Sequence, residues 1–286
     1  MKSEARSGGP DHEPAAIGQP VHGTVDMETL GALLELPLPF EGDLAAITFS
    51  TRALQEGEVL IRSGEECRNL YVVRFGSFKT CVADATGTTQ GTAFPMRGDT
   101  IGVDGLASGR HNCGTTALER SDVVVLPARK LTSLALAHPA FANLVHRLMG
   151  REIVRDQALM FMLGSLGAEA RVAAFLVDMS DRFSKLGYSG RVFNLRMTRQ
   201  DLGHYLGLNI ETVSRVMSHL SQMGLIAVRH REVEIVDEAT LRRMVADPSV
   251  LHALRGRRGR TGRDWESRVP APQPETDARP RELAVR

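Results

Sequence analysis

Residues 198–235 read TRQDLGHYLGLNIETVSRVMSHLSQMGLIAVRHREVEI, and this stretch decides the fold. Thr198, with Asp201 three residues on, forms a capping-box pair at the start of a helix, and Gly207 supplies the turn that ends it. Asn209 caps a second helix, in which Val213, Val216, Met217 and Leu220 recur at i, i+3, i+4 and i+7 as one buried stripe. Beyond it, Leu225 to Val228 and Glu232 to Val236 are strand-like runs flanking Arg229, His230 and Arg231. The pattern is helix, turn, helix and wing, an arrangement that lays its second helix in a DNA major groove.

The outward face of that second helix carries the chemistry. Glu211, Ser214, Arg215 and Ser218 share it at helical spacing. A guanidinium binds guanine O6 and N7 bidentately, a carboxylate accepts from cytosine N4, and a hydroxyl meets either kind of edge. Glu211, Ser214 and Arg215 are the expected base readers. Thr198 and Arg199 at the first helix, Ser218 on the second, and Arg229 and Arg231 on the wing are the expected phosphate contacts.

A formal net charge of +1 is small for a partner of DNA, but distribution matters more than the sum. Between Gly190 and Glu232, arginines 191, 196, 199, 215, 229 and 231 face only Asp201, Glu211 and Glu232, so the positive surplus lies beside the reader helix. The chain has 286 residues, 42% of them hydrophobic and 24% charged, enough for two modest domains with tails. No apolar run is long enough to cross a bilayer, and MKSEARSGGPDHEPAAIGQP lacks the apolar core of a secretory signal, so a cytoplasmic protein without membrane contact is expected.

The organisation read along the chain is α+β. Residues 1–26 are rich in Gly, Pro and small polar types and read as a flexible arm. Residues 27–134 hold short β-rich runs such as VLIRS, LYVVRF and TALERSDVVVLP between glycines, the pattern of an antiparallel barrel or roll. Residues 135–165 are the dimerisation helix, an apolar helix pattern from about Pro139 to Leu163 with two stripes. Phe141, Leu144, Val145 and Leu148 suit packing on the roll, while His146, Met149, Ile153, Asp156, Met160 and Leu163 follow alternating spacings of three and four, the seam of a two-stranded coiled coil. A homodimer is expected. Residues 166–247 are the winged helix-turn-helix domain, and the Arg/Gly/Pro-rich tail 248–286 reads as disordered.

The run from Met197 to Arg231 resembles the DNA-binding domain of the Crp/Fnr family of bacterial transcription regulators, most closely the Fnr branch, whose reader triplet E-x-x-S-R stands here as Glu211, Ser214 and Arg215. The likeness extends through RFSKLGYSGRVFNLRMTRQDLG and RLMGREIVRDQALMFML, and more weakly to about Met27. It implies an N-terminal antiparallel β-roll of cyclic-nucleotide-binding type, a dimerisation helix and inverted-repeat sites with TTGAT-type halves. It also implies a loop, here about Asp84 to Gly91, that touches RNA polymerase, so activation is expected.

The same resemblance bears on cofactors, and none is expected. Cyclic AMP binders carry a Gly-Glu pair and then an Arg-Ser step, whereas GDTIGVDGLASGRHNCGTT has Val103 for the glutamate and Asn112-Cys113 near the Arg-Ser position. Oxygen-sensing members hold an iron-sulfur cluster on four thiolates, three of them N-terminal. This chain has only Cys67, Cys81 and Cys113, with Val124 about where the fourth ligand falls. Two readings stay open: constitutive DNA-binding competence, or a sensor of a small ligand, of nitric oxide through haem, or of cysteine redox state. His111-Asn112-Cys113 lacks a second ligand pair at metal-site spacing. An enzyme is the remote alternative, since no phosphate loop, nucleophile elbow or H-E-x-x-H occurs.

Overall fold

A computed structural model describes residues 21–35, 42–84 and 86–247. In chain order its elements are β1 (Val21–Asp26), α1 (Met27–Leu33), β2 (Thr48–Leu54), β3 (Val59–Ile61), β4 (Asn69–Phe75), β5 (Phe78–Ala83), β6 (Thr89–Ala93), β7 (Thr100–Ile101), α2 (Gly105–Ser108), β8 (Cys113–Ala117) and β9 (Ser121–Pro127). There follow α3 (Ala128–Ala137), α4 (Pro139–Ser165), α5 (Ala168–Lys185), β10 (Val192–Asn194), α6 (Arg199–Leu206), α7 (Ile210–Gln222), β11 (Ile226–Arg229), β12 (Glu232–Ile235) and α8 (Glu238–Ala246). This is the α+β class expected from the sequence. The chain divides into two compact units, one running through Phe161 and including Arg196–Gly207, the other formed by Met162–Leu195 and the chain from Leu208.

In the first unit, a five-stranded antiparallel sheet has the order β1-β2-β9-β4-β7, and a four-stranded one the order β3-β8-β5-β6. The β4 run NLYVVRF is apolar on both faces because both are covered. Leu70 and Val72 join Phe49, Val124 and Leu126 in one core, while Tyr71 and Val73 join Leu54, Ile61, Phe78 and Val123 in another. The first core is closed by Met27 and Leu30 of α1 and by Phe141, Leu144 and Leu148 of α4. Sealing it further, Arg151 of α4 donates to the Leu34 carbonyl at 2.7 Å. Between β4 and β5, Gly76 turns at φ 87°, and a Cβ there would fall 2.2 Å from Ser121 Oγ. Only glycine fits that turn.

Two boundaries differ from the sequence reading. The segment assigned to the end of a flexible arm contains β1, which pairs with β2 through Thr24↔Ser50, Val25↔Phe49 and Asp26↔Thr48. Its ladder partners are distant in sequence, so composition alone could not reveal them. Asp26 then caps α1 by accepting from Thr29 N–H at 2.8 Å. The long helix expected from about Pro139 is α4, but a separate helix, α3, precedes it from Ala128 and crosses the boundary drawn between residues 134 and 135, stopping before Pro139. A proline has no N–H to continue the preceding helix and is favoured at the start of the next. The arm 1–20 and the tail 248–286 lie outside the described residues.

In the second unit α5 buries Val172, Ala173, Phe175, Leu176 and Met179, and α8 buries Leu241 and Met244. Arg242 of α8 donates to Asp181 of α5 at 3.2 Å. The strands form a sheet of order β10-β12-β11, with Phe193 of β10 stacked on Phe183 of α5 at 5.2 Å between ring centroids. Arg171 on α5 donates to the Leu163 and Leu166 carbonyls, satisfying acceptors that the end of α4 leaves open.

Candidate nucleic-acid interface

Two side-chain caps define the helices of the reader. Thr198 Oγ1 accepts from Asp201 N–H at 3.0 Å and Asp201 Oδ2 accepts from Thr198 N–H at 3.0 Å, a complete capping box. Gly207 ends α6 in the left-handed region at φ 62°, and Asn209 Oδ1 accepts from Thr212 N–H at 2.8 Å to begin α7. On α7 the stripe Val213, Val216, Met217 and Leu220 is buried. Glu211, Ser214, Arg215 and Ser218 are exposed.

The reader face contains one ordering contact that the sequence reading missed. Arg215 Nη2 donates to Thr212 Oγ1 at 3.2 Å, one turn back on the helix. Spacing of i and i+3 was the available signal. Held this way, the guanidinium fork of Arg215 is partly oriented on the exposed face of α7. His219, on the same helix, has Nδ1 3.8 Å from Glu169 of α5.

The wing turns tightly at His230 and Arg231, with Arg229 opposite Glu232 in the ladder and His230 at φ 53°. Arg229 and Arg231 are exposed. β10, absent from the sequence reading, flanks β12 with Phe193 opposite Val233. Of the expected phosphate residues, Ser218, Arg229 and Arg231 belong to the second unit, and Thr198 and Arg199 to the first. Thr198 is exposed but uses its hydroxyl in the capping box. Arg199 departs from the expected open cation: it is half-buried, its Nη1 is sealed from water without a hydrogen-bond partner, and burial pulls its pKa down from the ordinary arginine value.

The α4 seam residues His146, Met149, Ile153, Asp156 and Met160 are exposed, and Leu163 is half-buried. Ile153 and Met160 keep 54% and 64% of their surface, far more than apolar side chains on a packed face. Burial pushes the Asp156 carboxyl upward and Arg155 opposes the shift. That arginine binds Asp99 of the roll and lies 3.7 Å from Glu152.

Residues 170–244 match the model of the Crp-like helix-turn-helix domain, and residues 51–138 that of the cyclic nucleotide-binding domain. The chain is 37% identical over 196 residues to the transcriptional regulatory protein btr of Bordetella pertussis, covering 68% of this chain and 81% of that one. It belongs to the Crp/Fnr family of transcription regulators. The fumarate and nitrate reduction regulatory protein of Escherichia coli K12 is likewise 37% identical over 190 residues, 66% of this chain and 76% of its own. Among solved structures, FixK2 from Bradyrhizobium japonicum aligns with a TM-score of 0.65 at 26% identity, over 70% of this chain and 99% of that chain. The regulator TTHB099 of Thermus thermophilus shares the fold, with a TM-score of 0.56 at 24% identity over 68% of this chain and 97% of its own. This Crp/Fnr protein is therefore a DNA-binding transcription regulator, and its relatives are regulators rather than enzymes. Among the described residues no helix is long and apolar enough to cross a membrane.

In this Crp/Fnr chain the turn between Gly102 and Thr115 of the roll is held by hydrogen bonds among its own groups. Val103 packs against the hydrophobic core. Asp104 Oδ2 accepts from Asn112 N–H at 2.7 Å and Cys113 N–H at 3.0 Å, and Asp104 Oδ1 lies 3.4 Å from Nδ1 of the buried His111. Arg110 donates to the Gly64 carbonyl at 2.8 Å. Cys67, Cys81 and Cys113 are free, half-buried thiols. Burial pushes all three up, Cys113 to about 11 with help from Asp104. Among the described residues no group of three or more His, Cys, Asp or Glu is arranged to hold a metal ion.

Proposed function

We propose that the protein binds, as a homodimer, an inverted-repeat site with TTGAT-type halves and activates transcription there. The observation that carries this reading is the exposed trio Glu211, Ser214 and Arg215 on α7, a helix whose opposite face is fully buried. A twofold operator needs a twofold protein. The exposed seam on α4, centred on Ile153 and Met160, supplies a surface suited to a second copy. The likeness to Fnr proteins supports activation and contact with RNA polymerase through the β5–β6 hairpin, in the cytoplasm where bacterial DNA lies.

DNA binding without a resident cofactor is the reading favoured by the roll. An anionic ligand in the Gly102–Thr115 turn would have to displace the Asp104 carboxylate from the Asn112 and Cys113 amides. An iron-sulfur cluster would need soft thiolate ligands. The chain has three cysteines, one fewer than a four-thiolate set, and burial raises the pKa of each thiol, which disfavours the thiolate form that a cluster needs. Fluorescence anisotropy with a labelled inverted-repeat duplex, against a scrambled duplex of equal length, tests the function. The expected preference is about 10³-fold or more at physiological salt. Equal affinity for both duplexes would overturn it.

A further inference from the structure

The first helix of the reader is seated on the roll. Lys79 Nζ of β5 lies 2.6 Å from Asp201 Oδ1, the oxygen that the capping box does not use. Gln90 of β6 donates to the Tyr205 carbonyl at 3.3 Å, Thr89 Oγ1 lies 3.3 Å from His204 Nδ1, and the Phe94 and Tyr205 rings meet at 5.1 Å. Just before α6, Arg196 Nε lies 3.1 Å from Glu119 Oε2, while Ser77 donates to the other oxygen of that carboxylate at 2.7 Å. The fit is close. A Cβ on Gly91 would stand 3.0 Å from both Cα and N of Tyr205, so any larger residue there must push the helix backbone away.

The seat occupies groups that DNA would otherwise use. Arg196 is engaged by a roll carboxylate, and Arg199 is half-buried with an unsatisfied guanidinium nitrogen. Both belong to the arginine surplus beside the reader helix; the charge of Arg196 is already matched by Glu119, and part of the Arg199 guanidinium is shut off from solvent. An orphaned donor and a displaced cation favour departure once phosphate is at hand. We propose that the β5–β6 hairpin and Glu119 form an autoinhibitory seat for α6, which withholds Arg196 and Arg199 from the DNA backbone until the helix leaves it. Gly91 sets the closeness of the seat, Lys79 anchors the helix through Asp201, and Glu119 holds Arg196.

The inference rests on DNA binding through this helix-turn-helix and is tested apart from operator choice. Glu119→Gln and Gly91→Val are compared with the parent on the inverted repeat and on non-specific duplex DNA, across a salt series. Release of Arg196 and Arg199 should raise affinity several-fold on both DNAs. It should also steepen the slope of log affinity against log salt by about 0.9 for each phosphate gained. Amide exchange over residues 199–206 should quicken in the free Gly91→Val protein. Should that variant fail to fold, Glu119→Gln carries the test alone, since it leaves the Cβ contacts untouched. Unchanged or weaker binding with an unaltered slope in a folded variant would overturn the seat as an inhibitor. A parent that does not prefer the inverted repeat would instead defeat the operator reading, leaving the non-specific salt slopes to decide the seat.

Discussion

Thr212 Oγ1 and Arg215 Nη2 lie 3.2 Å apart on the exposed face of α7, so the arginine expected to read a guanine is steadied by a hydroxyl on its own helix. Arg215→Ala should cost about 1–3 kcal/mol per half-site on the consensus and flatten preference at the guanine it reads. Thr212→Val should cost less, about 0.5–1.5 kcal/mol, because it removes one hydrogen bond and leaves the guanidinium. Anisotropy titrations on consensus and guanine-substituted duplexes check both. An Arg215→Ala protein that bound the consensus like the parent would mean that α7 is not the reader.

Arg229, at the end of β11, lies on the wing away from the base-reading trio in sequence. Its replacement by alanine should weaken binding to all sequences alike and lower the salt slope by about 1, the behaviour of a phosphate contact. A loss confined to one operator sequence would assign it a base instead.

Asp156 shares the exposed α4 seam with Ile153 and Met160, where two copies would bring like charges together across the twofold axis. Its neighbour Arg155 is engaged by Asp99 of its own chain. Asp156→Ala should therefore tighten self-association and raise apparent DNA affinity at low protein concentration. Sedimentation across a dilution series decides: an unchanged or weaker dimer in the variant removes Asp156 as an opponent of pairing.

Glu152 has its pKa raised above the ordinary glutamate value, first by burial and then by Asp156, Asp99 and Asp104, against the pull of Arg155. The folded state therefore holds this proton more tightly than the unfolded state. Stability from that difference is present below the ordinary glutamate pKa and is lost as pH rises through the raised one. Glu152→Gln should melt higher than the parent at neutral pH, with the gap closing on acidification. A gap that is constant with pH would show that ionisation of Glu152 is not its source.

Anaerobically purified protein should contain no stoichiometric iron or sulfide and show no iron-sulfur absorption band, because the three half-buried cysteines do not make up a four-thiolate set. Recovery of both elements in fixed ratio would refute this.

The reader was legible because its signals are local. Thr198 and Asp201, Gly207 and Asn209 act on backbone within a turn of themselves, and the α7 stripe follows from helical period alone. The reader trio followed from the same period and from resemblance to the Fnr branch. β1 and β10 were not legible, being short strands whose identity comes from partners far along the chain. The start of α4 at Pro139 was legible, whereas α3 was not, lying mostly within the stretch 27–134 read as strands of the roll.

What the sequence determined by itself was the class of fold and the kind of partner, since periodicity, caps and residue chemistry are properties of neighbours in the chain. Tertiary structure decided which groups are available. Arg199 reads as one more phosphate cation, yet it is half-buried with a sealed nitrogen, and Arg196 is matched to Glu119. Gly91 reads as an ordinary hairpin glycine, yet it is the one residue of β6 whose lack of a side chain lets Tyr205 approach. Burial and ion pairing depend on residues brought together across long stretches of chain, and no local pattern records which of them will meet.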